Sequence, residues 1–247
     1  KGPDLVDPVP GDVEGYLTPE EVQNTKNLYA GEVTFVDKWV GVLLDALKKT
    51  GVYDNSLIMH TTDHGEPFGE HGFIRKARPH NYEELIHIPW IMRLPNAVRR
   101  GIQIDSMVQT VDMLPTILEA LDIRSDKLTL KFTEPDQSSK SDNIFPQDLV
   151  TRQRRQILGG CNLLPLIEGK VDEVRDIAFG GHHNREWYAR TKEWTYLLPI
   201  DNSRPPELYY RDNDPTEQNN IIKEHPEIAS GLELELRRFV DMLQHQE

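Results

Sequence analysis

The chain has 247 residues, enough for one large domain or two small ones, and 37% are hydrophobic, enough for a packed core. Its 28 Lys and Arg against 41 Asp and Glu leave a net charge of −13, spread along the chain, which argues against nucleic-acid and anionic-membrane partners. One cysteine excludes an internal disulfide and favours a reducing, cytoplasmic setting, and no apolar run approaches the ~18 residues of a membrane span.

The sequence opens on Lys1-Gly2-Pro3 and reads as a cut beginning. Thr18-Pro19-Glu20-Glu21 predicts a helix start: Thr18 as N-cap, Pro19 at the first position, Glu21 as capping-box partner. Val33, Val36, Trp39, Val40, Leu43, Leu44 and Leu47 then recur at helical spacing, and Gly51 closes the element. A buried strand is expected over Ser56 to Thr62, with His60 as a satisfied core histidine. It runs into a turn at Asp63, His64 and Gly65, where the glycine is expected to supply a positive φ. A loop dense in His, Glu, Lys and Arg follows, then a short apolar strand over Ile88 to Leu94. Asp112 is expected to cap a helix running to Leu121, with Pro115 in its first turn.

Alternating strand and helix predict a layered α/β sheet. Ser125 to Asp148 is polar and aperiodic and reads as a surface insertion. Gln147 to Leu158 is expected to form a short basic helix. From about Leu166 the spacing tightens to strands at Asp176 to Gly181, Trp187 to Thr191 and Trp194 to Leu198. A last amphipathic helix starts at Pro226 and is expected to bury Ile228, Leu232, Leu236, Phe239, Val240 and Leu243. The expected division is residues 1–165, an α/β part carrying the insertion at 125–148, and residues 166–247, a smaller α+β part.

The chemistry concentrates between Ser56 and Pro95. An acid and an imidazole side by side at the carboxyl end of a strand stand where open α/β sheets place ligands. Asp63 offers hard oxygen suited to Ca²⁺, Mg²⁺ or Mn²⁺, and His64 offers nitrogen that Mn²⁺ or Zn²⁺ accept well. His71 is read in two ways: support of the site, including contact with substrate, or a hydrogen bond that pins the loop. Glu83 and Glu84 are expected to anchor that loop, and Arg75 and Arg78 add positive potential. Cys161 reads as a buried small residue, His182-His183 as surface histidines, and Trp187, Trp194, Tyr209 and Tyr210 as packing.

The motif T-D-H-G-E-x-x-G-E-H-G, a lysine five residues after His71, and Y-E-E-L-I-H-I-P together resemble the sulfatase family of the alkaline-phosphatase superfamily. Further blocks agree in order: Tyr29 to Ser56, Val111 to Ile123, Asn162 to Gly169, and E-L-Y-Y-R-D-N-D-P-T-E-Q-N-N-I (Glu207 to Ile221). The resemblance implies the α/β/α layered fold with a smaller C-terminal subdomain of antiparallel sheet and terminal helix. It implies a divalent metal, Ca²⁺ by family habit, held by Asp63 and His64, although many relatives have Asn in place of His64. Lys76 matches the lysine that contacts the ester oxygens and helps the leaving group, with His80 a rival for that place. The implied substrate is a small-molecule sulfate ester.

The family's nucleophile, a Cys or Ser opening C/S-x-P-x-R and converted to formylglycine, occurs nowhere in these residues. The expectation is therefore the C-terminal portion of a sulfatase-like hydrolase, inactive alone, whose partner is the N-terminal portion of the same protein. A phosphonate monoester hydrolase or phosphodiesterase of the same superfamily is the alternative, and a non-catalytic pseudoenzyme is the alternative of another class.

Overall fold

The computed structural model describes residues 17–74, 80–123, 160–182, 185–200 and 203–245. The chain divides into two units, residues 1–102 with 209–220, and residues 103–208 with 221–247. The expected insertion at 125–148, the basic helix at 147–158, Arg75, Lys76, Arg78 and His183 lie outside the described residues.

In the first unit, helix α1 (Pro19–Lys49) begins as its sequence predicts. Thr18 Oγ1 accepts from Glu21 N–H at 3.2 Å, and Thr18 N–H donates to the Glu21 carboxylate at 2.8 Å. The far end closes in a Schellman motif, with Val52 N–H donating to Leu47 O at 3.2 Å and Gly51 N–H to Lys48 O at 3.1 Å. Its apolar stripe is formed but open: Val36, Trp39 and Leu43 are 51%, 55% and 59% exposed.

Strand β1 (Ile58–Thr61) follows, then a one-turn helix α2 (Glu83–Ile86) and strand β2 (Trp90–Arg93). β1 and β2 pair antiparallel, with His60 opposite Ile91 and Thr61 opposite Trp90. Successive residues of a strand face opposite sides. His60 and Ile91 share the open side, so His60 is exposed rather than a core histidine, and the strand is only partly buried. Arg93 fastens β2 to the turn before β1: its guanidinium donates to Tyr53 O at 2.8 Å and lies 4.0 Å from the centre of the Tyr53 ring.

In the second unit, helix α3 (Met113–Ala120) carries Pro115 in its first turn as expected, but Asp112 does not cap it. The Asp112 carboxylate turns back instead, accepting from Gln109 N–H and Cys161 N–H, each at 2.7 Å. Thr116 continues the tie, because its hydroxyl accepts from Leu163 N–H at 3.0 Å just before the short helix α4 (Leu164–Ile167). Cys161 is half-buried, with Arg175 Nη2 3.4 Å from its sulfur.

Strands β3 (Ala178–His182), β4 (Glu186–Arg190), β5 (Trp194–Pro199) and β6 (Glu207–Tyr210) form a four-stranded sheet in chain order. β3–β4 and β4–β5 are antiparallel, with Trp187 opposite Leu198. Helix α5 (Pro226–His245) lays Ala229, Leu232 and Leu236 on Ala189, Tyr196, Leu198 and Leu208. Each large aliphatic side chain so buried contributes about 1.5–3 kcal/mol of transfer free energy. Phe239 stacks on Phe179 at 4.8 Å. Among the described residues no helix is long and apolar enough to cross a membrane.

Candidate active-site turn

β1 delivers Asp63 and His64 to the head of a turn. His64 Nδ1 lies 2.6 Å from Gly65 O; a carbonyl only accepts, so Nδ1 carries the proton. In the neutral ring Nε2 then carries the lone pair a metal would take, and it stands 3.6 Å from Asp63 Oδ2. An oxygen and a nitrogen donor thus face one another at the end of a strand. Asp63 is well exposed, and its carboxyl is held below the usual range, first by a backbone hydrogen bond and then by neighbouring His64. Among the described residues no group of three or more His, Cys, Asp or Glu side chains converges to hold a metal. The pair fits a metal as part of a ligand set, since hard cations take six or more oxygens or equivalents.

Gly65 is required for a reason other than the one expected. It is not among the positive-φ residues. A Cβ built on it would lie 2.0 Å from Glu84 O, and its N–H donates to Leu85 O at 2.8 Å. The turn after the acid-imidazole pair is therefore pressed against α2, and only a residue without a side chain permits that approach.

The G-E-H-G segment makes a second turn. Gly69 and Gly72 hold φ of 94° and 77°, which accounts for both glycines. Gly69 N–H donates to Phe73 O at 2.7 Å, and Phe68 bridges Ile74. Glu70 binds the turn to α1, accepting from Lys26 Nζ at 3.1 Å. Burial raises the Glu70 carboxyl, but hydrogen bonds from Phe68 and its own backbone, with Lys26, leave it below the usual range.

His71 lies inside this fold. Its Nδ1 is 2.7 Å from Glu84 Oε1 and its Nε2 is 2.8 Å from Glu217 O. Burial lowers its pKa, but the hydrogen bond to Glu84, then that to Glu217 and the two carboxylates, raise it on balance above the ordinary value. Its ring stacks on Tyr82 at 3.6 Å and 4°. His80 joins the same column, 4.0 Å from Phe73 and 5.8 Å from Tyr82. Glu83 and Glu84 anchor the loop, Glu84 through His71 and Glu83 through His87 and, at 3.8 Å, Arg211.

Glu217 went unnoticed at the level of sequence, where its D-P-T-E block served only as a match. Its Oε2 accepts from Glu83 N–H at 2.7 Å, and the residue is fully buried. Nothing in the order of residues marks it, because the Glu83 amide it accepts from stands 134 positions away.

The sulfatase family model matches residues 5–123. Those residues belong to the sulfatase family. Bovine arylsulfatase K is 25% identical over 235 residues, covering 92% of this chain and 38% of that protein. N-acetylglucosamine-6-O-sulfatase of Bacteroides thetaiotaomicron is 26% identical over 240 residues, covering 94% and 39%. The chain spans about two fifths of the length of the curated relatives it matches. Among solved structures, a phosphonate monoester hydrolase of Agrobacterium radiobacter aligns with a TM-score of 0.70 at 22% identity, covering 92% of this chain and 43% of that one. A structure in complex with its substrate, D-glucosamine-2-N,6-O-disulfate, aligns at 0.65 and 24%, covering 87% and 40%. These neighbours show that the chain shares their α/β fold.

Proposed function

We propose that this chain is the later part of a divalent-metal-dependent sulfuric ester hydrolase. The observation that carries the proposal is the Asp63–His64 pair, with His64 Nδ1 turned to the Gly65 carbonyl and Nε2 3.6 Å from the Asp63 carboxylate at the end of β1. Family membership over residues 5–123 and the sulfatase relatives support the reaction type.

Asp63 and His64 are the proposed metal ligands. A divalent cation bound there would neutralise charge developing on the ester oxygens and orient the attacking group. Calcium is the choice the family resemblance favours; the imidazole donor also suits Mn²⁺ or Zn²⁺, and the carboxylate suits Mg²⁺. Lys76 is the proposed contact for the ester oxygens, a compact cation aimed at an anion that gains charge as the alcohol departs. The stacked setting of His80 supports giving that role to Lys76. The nucleophile, a formylglycine made from Cys or Ser, is proposed to lie on residues outside these 247, so that this chain alone is inactive.

The test uses the protein expressed from its whole gene, assayed on an aryl sulfate beside an aryl phosphonate monoester, with metal content measured in parallel. Faster sulfate hydrolysis with bound metal, both lost in Asp63→Ala, is the expected result. Faster phosphonate hydrolysis would move the assignment to the superfamily's phosphonate monoester hydrolases. A protein without metal or turnover would be the pseudoenzyme.

A further inference from the structure

Two stretches far apart in sequence meet at His71. One comprises residues 63–74, which carry the proposed metal ligands, and residues 80–86; the other is the D-P-T-E-Q-N turn at residues 214–219. The second turn is rigid by construction. Asp214 accepts from Gln218 N–H at 2.9 Å and Asn219 N–H at 2.7 Å, and its carbonyl accepts from Glu217 N–H at 3.1 Å. Glu217 is held there at φ 56°, a left-handed conformation that costs a non-glycine residue on the order of 1 kcal/mol or more. The residue is 0% exposed, although its side chain ends in a carboxyl group. A strained backbone and a buried carboxylate on one residue persist only where the surroundings over-determine them.

What surrounds Glu217 is the loop. The carboxylate takes the amide of Glu83 at the head of α2, and the carbonyl takes His71. Both ring nitrogens of His71 face acceptors, the Glu84 carboxylate and the Glu217 carbonyl, an arrangement that stabilises a ring with two protons and a positive charge. Gln218 Nε2, 3.2 Å from His71 Nε2, donates to Thr216 O at 2.8 Å. The charges facing this imidazolium are the carboxylates of Glu84 and Glu217, with Glu83 and its partner Arg211 beyond, and Tyr82 covers its face. Glu84 in turn is the residue whose carbonyl the Gly65 turn presses against.

We propose that Glu217 is a positioning residue for the proposed active site: through His71 and the Glu83 amide it clamps the loop and so fixes the turn that presents Asp63 and His64. His71 then acts as a buried cation inside the clamp, with both ring nitrogens committed, and not as a contact for substrate. The kinetic half of this inference rests on the sulfatase reading; the structural half does not.

The experiment has two arms. Long-range nitrogen–proton NMR on histidine-labelled protein follows His71 with pH, in the unsubstituted chain and in Glu217→Gln, which keeps an acceptor for the Glu83 amide but removes the charge. The expected result is a doubly protonated His71 at pH 7 whose titration moves down in the variant. The second arm measures kcat, KM and thermal stability of the full-length enzyme carrying Glu217→Gln. A displaced turn should lower kcat/KM about ten- to a hundredfold while the variant stays folded.

A His71 neutral at pH 7 overturns the clamp, and that measurement needs no variant. Unchanged kcat/KM in Glu217→Gln overturns the positioning role. If the unsubstituted enzyme hydrolyses no sulfate ester, the function reading fails, and the titration alone decides the clamp.

Discussion

Arg175 meets Asp112 as a fork, with Nη1 and Nη2 each 2.5 Å from a different carboxylate oxygen. Asp112 is 0% exposed and also takes the amides of Gln109 and Cys161, so three segments of the second unit end on one carboxylate. Two parallel charge-assisted bonds of this kind are directional as well as strong. Arg175→Met should destabilise the unit by about 3–5 kcal/mol, because it leaves a buried charge without its countercharge. Chemical denaturation of the variant beside the unsubstituted chain checks this. An Asp112→Asn, Arg175→Met double variant should recover part of the loss.

Gly65→Ala should be far more damaging than an ordinary surface substitution. The added methyl would meet the Glu84 carbonyl at 2.0 Å, so α2 or the turn must move. The expected cost is about 1–3 kcal/mol. Thermal melting and turnover of the full-length enzyme would both fall; a variant with normal melting and normal turnover would show that the contact is not tight.

Asp63→Asn keeps the size of the side chain and removes its charge. In the full-length protein it should weaken metal binding by an order of magnitude or more, with a matching loss of turnover, since charge count sets affinity for hard cations. Titration with metal, followed by calorimetry, measures it. Because Asp63 is exposed, thermal stability without metal should hardly change.

The Tyr196 hydroxyl donates to Glu233 at 2.8 Å, from a side chain that is almost wholly buried. Burial first, and then that hydrogen bond, push its pKa well above the ordinary value. A group whose pKa is raised in the fold stabilises it fully below the unfolded value, about 10 for tyrosine. That stability is lost as the pH rises from there through the folded value. Unfolding free energy should therefore fall with alkaline pH in the unsubstituted chain and fall less steeply in Tyr196→Phe, whose own cost near neutrality is about 1 kcal/mol.

Much of the local structure was legible from residues alone. Thr18, Pro19 and Glu21 announced a helix start because capping is a contact among near neighbours, and the helix opens there. The strands at 178–182, 186–190 and 194–199 came within a few residues of their predicted limits. Where the reading failed, a partner distant in sequence had intervened. Asp112 had the right position for a helix cap, but Arg175 and the Cys161 amide compete for the same oxygens and win. His60 sits in an apolar run, yet strand alternation turns it outward with Ile91.

The sequence by itself determined the family over residues 5–123, the acid-imidazole pair at the end of a strand, and the long helices and the strands from β1 to β5, because motif spacing and periodicity are properties of neighbours along the chain. Tertiary structure alone decided why Gly65 is a glycine, which nitrogen of His64 meets the Gly65 carbonyl, and that Glu217 reaches His71 across 146 positions of chain. Those depend on close approach, on which acceptor faces which nitrogen, and on burial, and none of these has a signature in the order of residues.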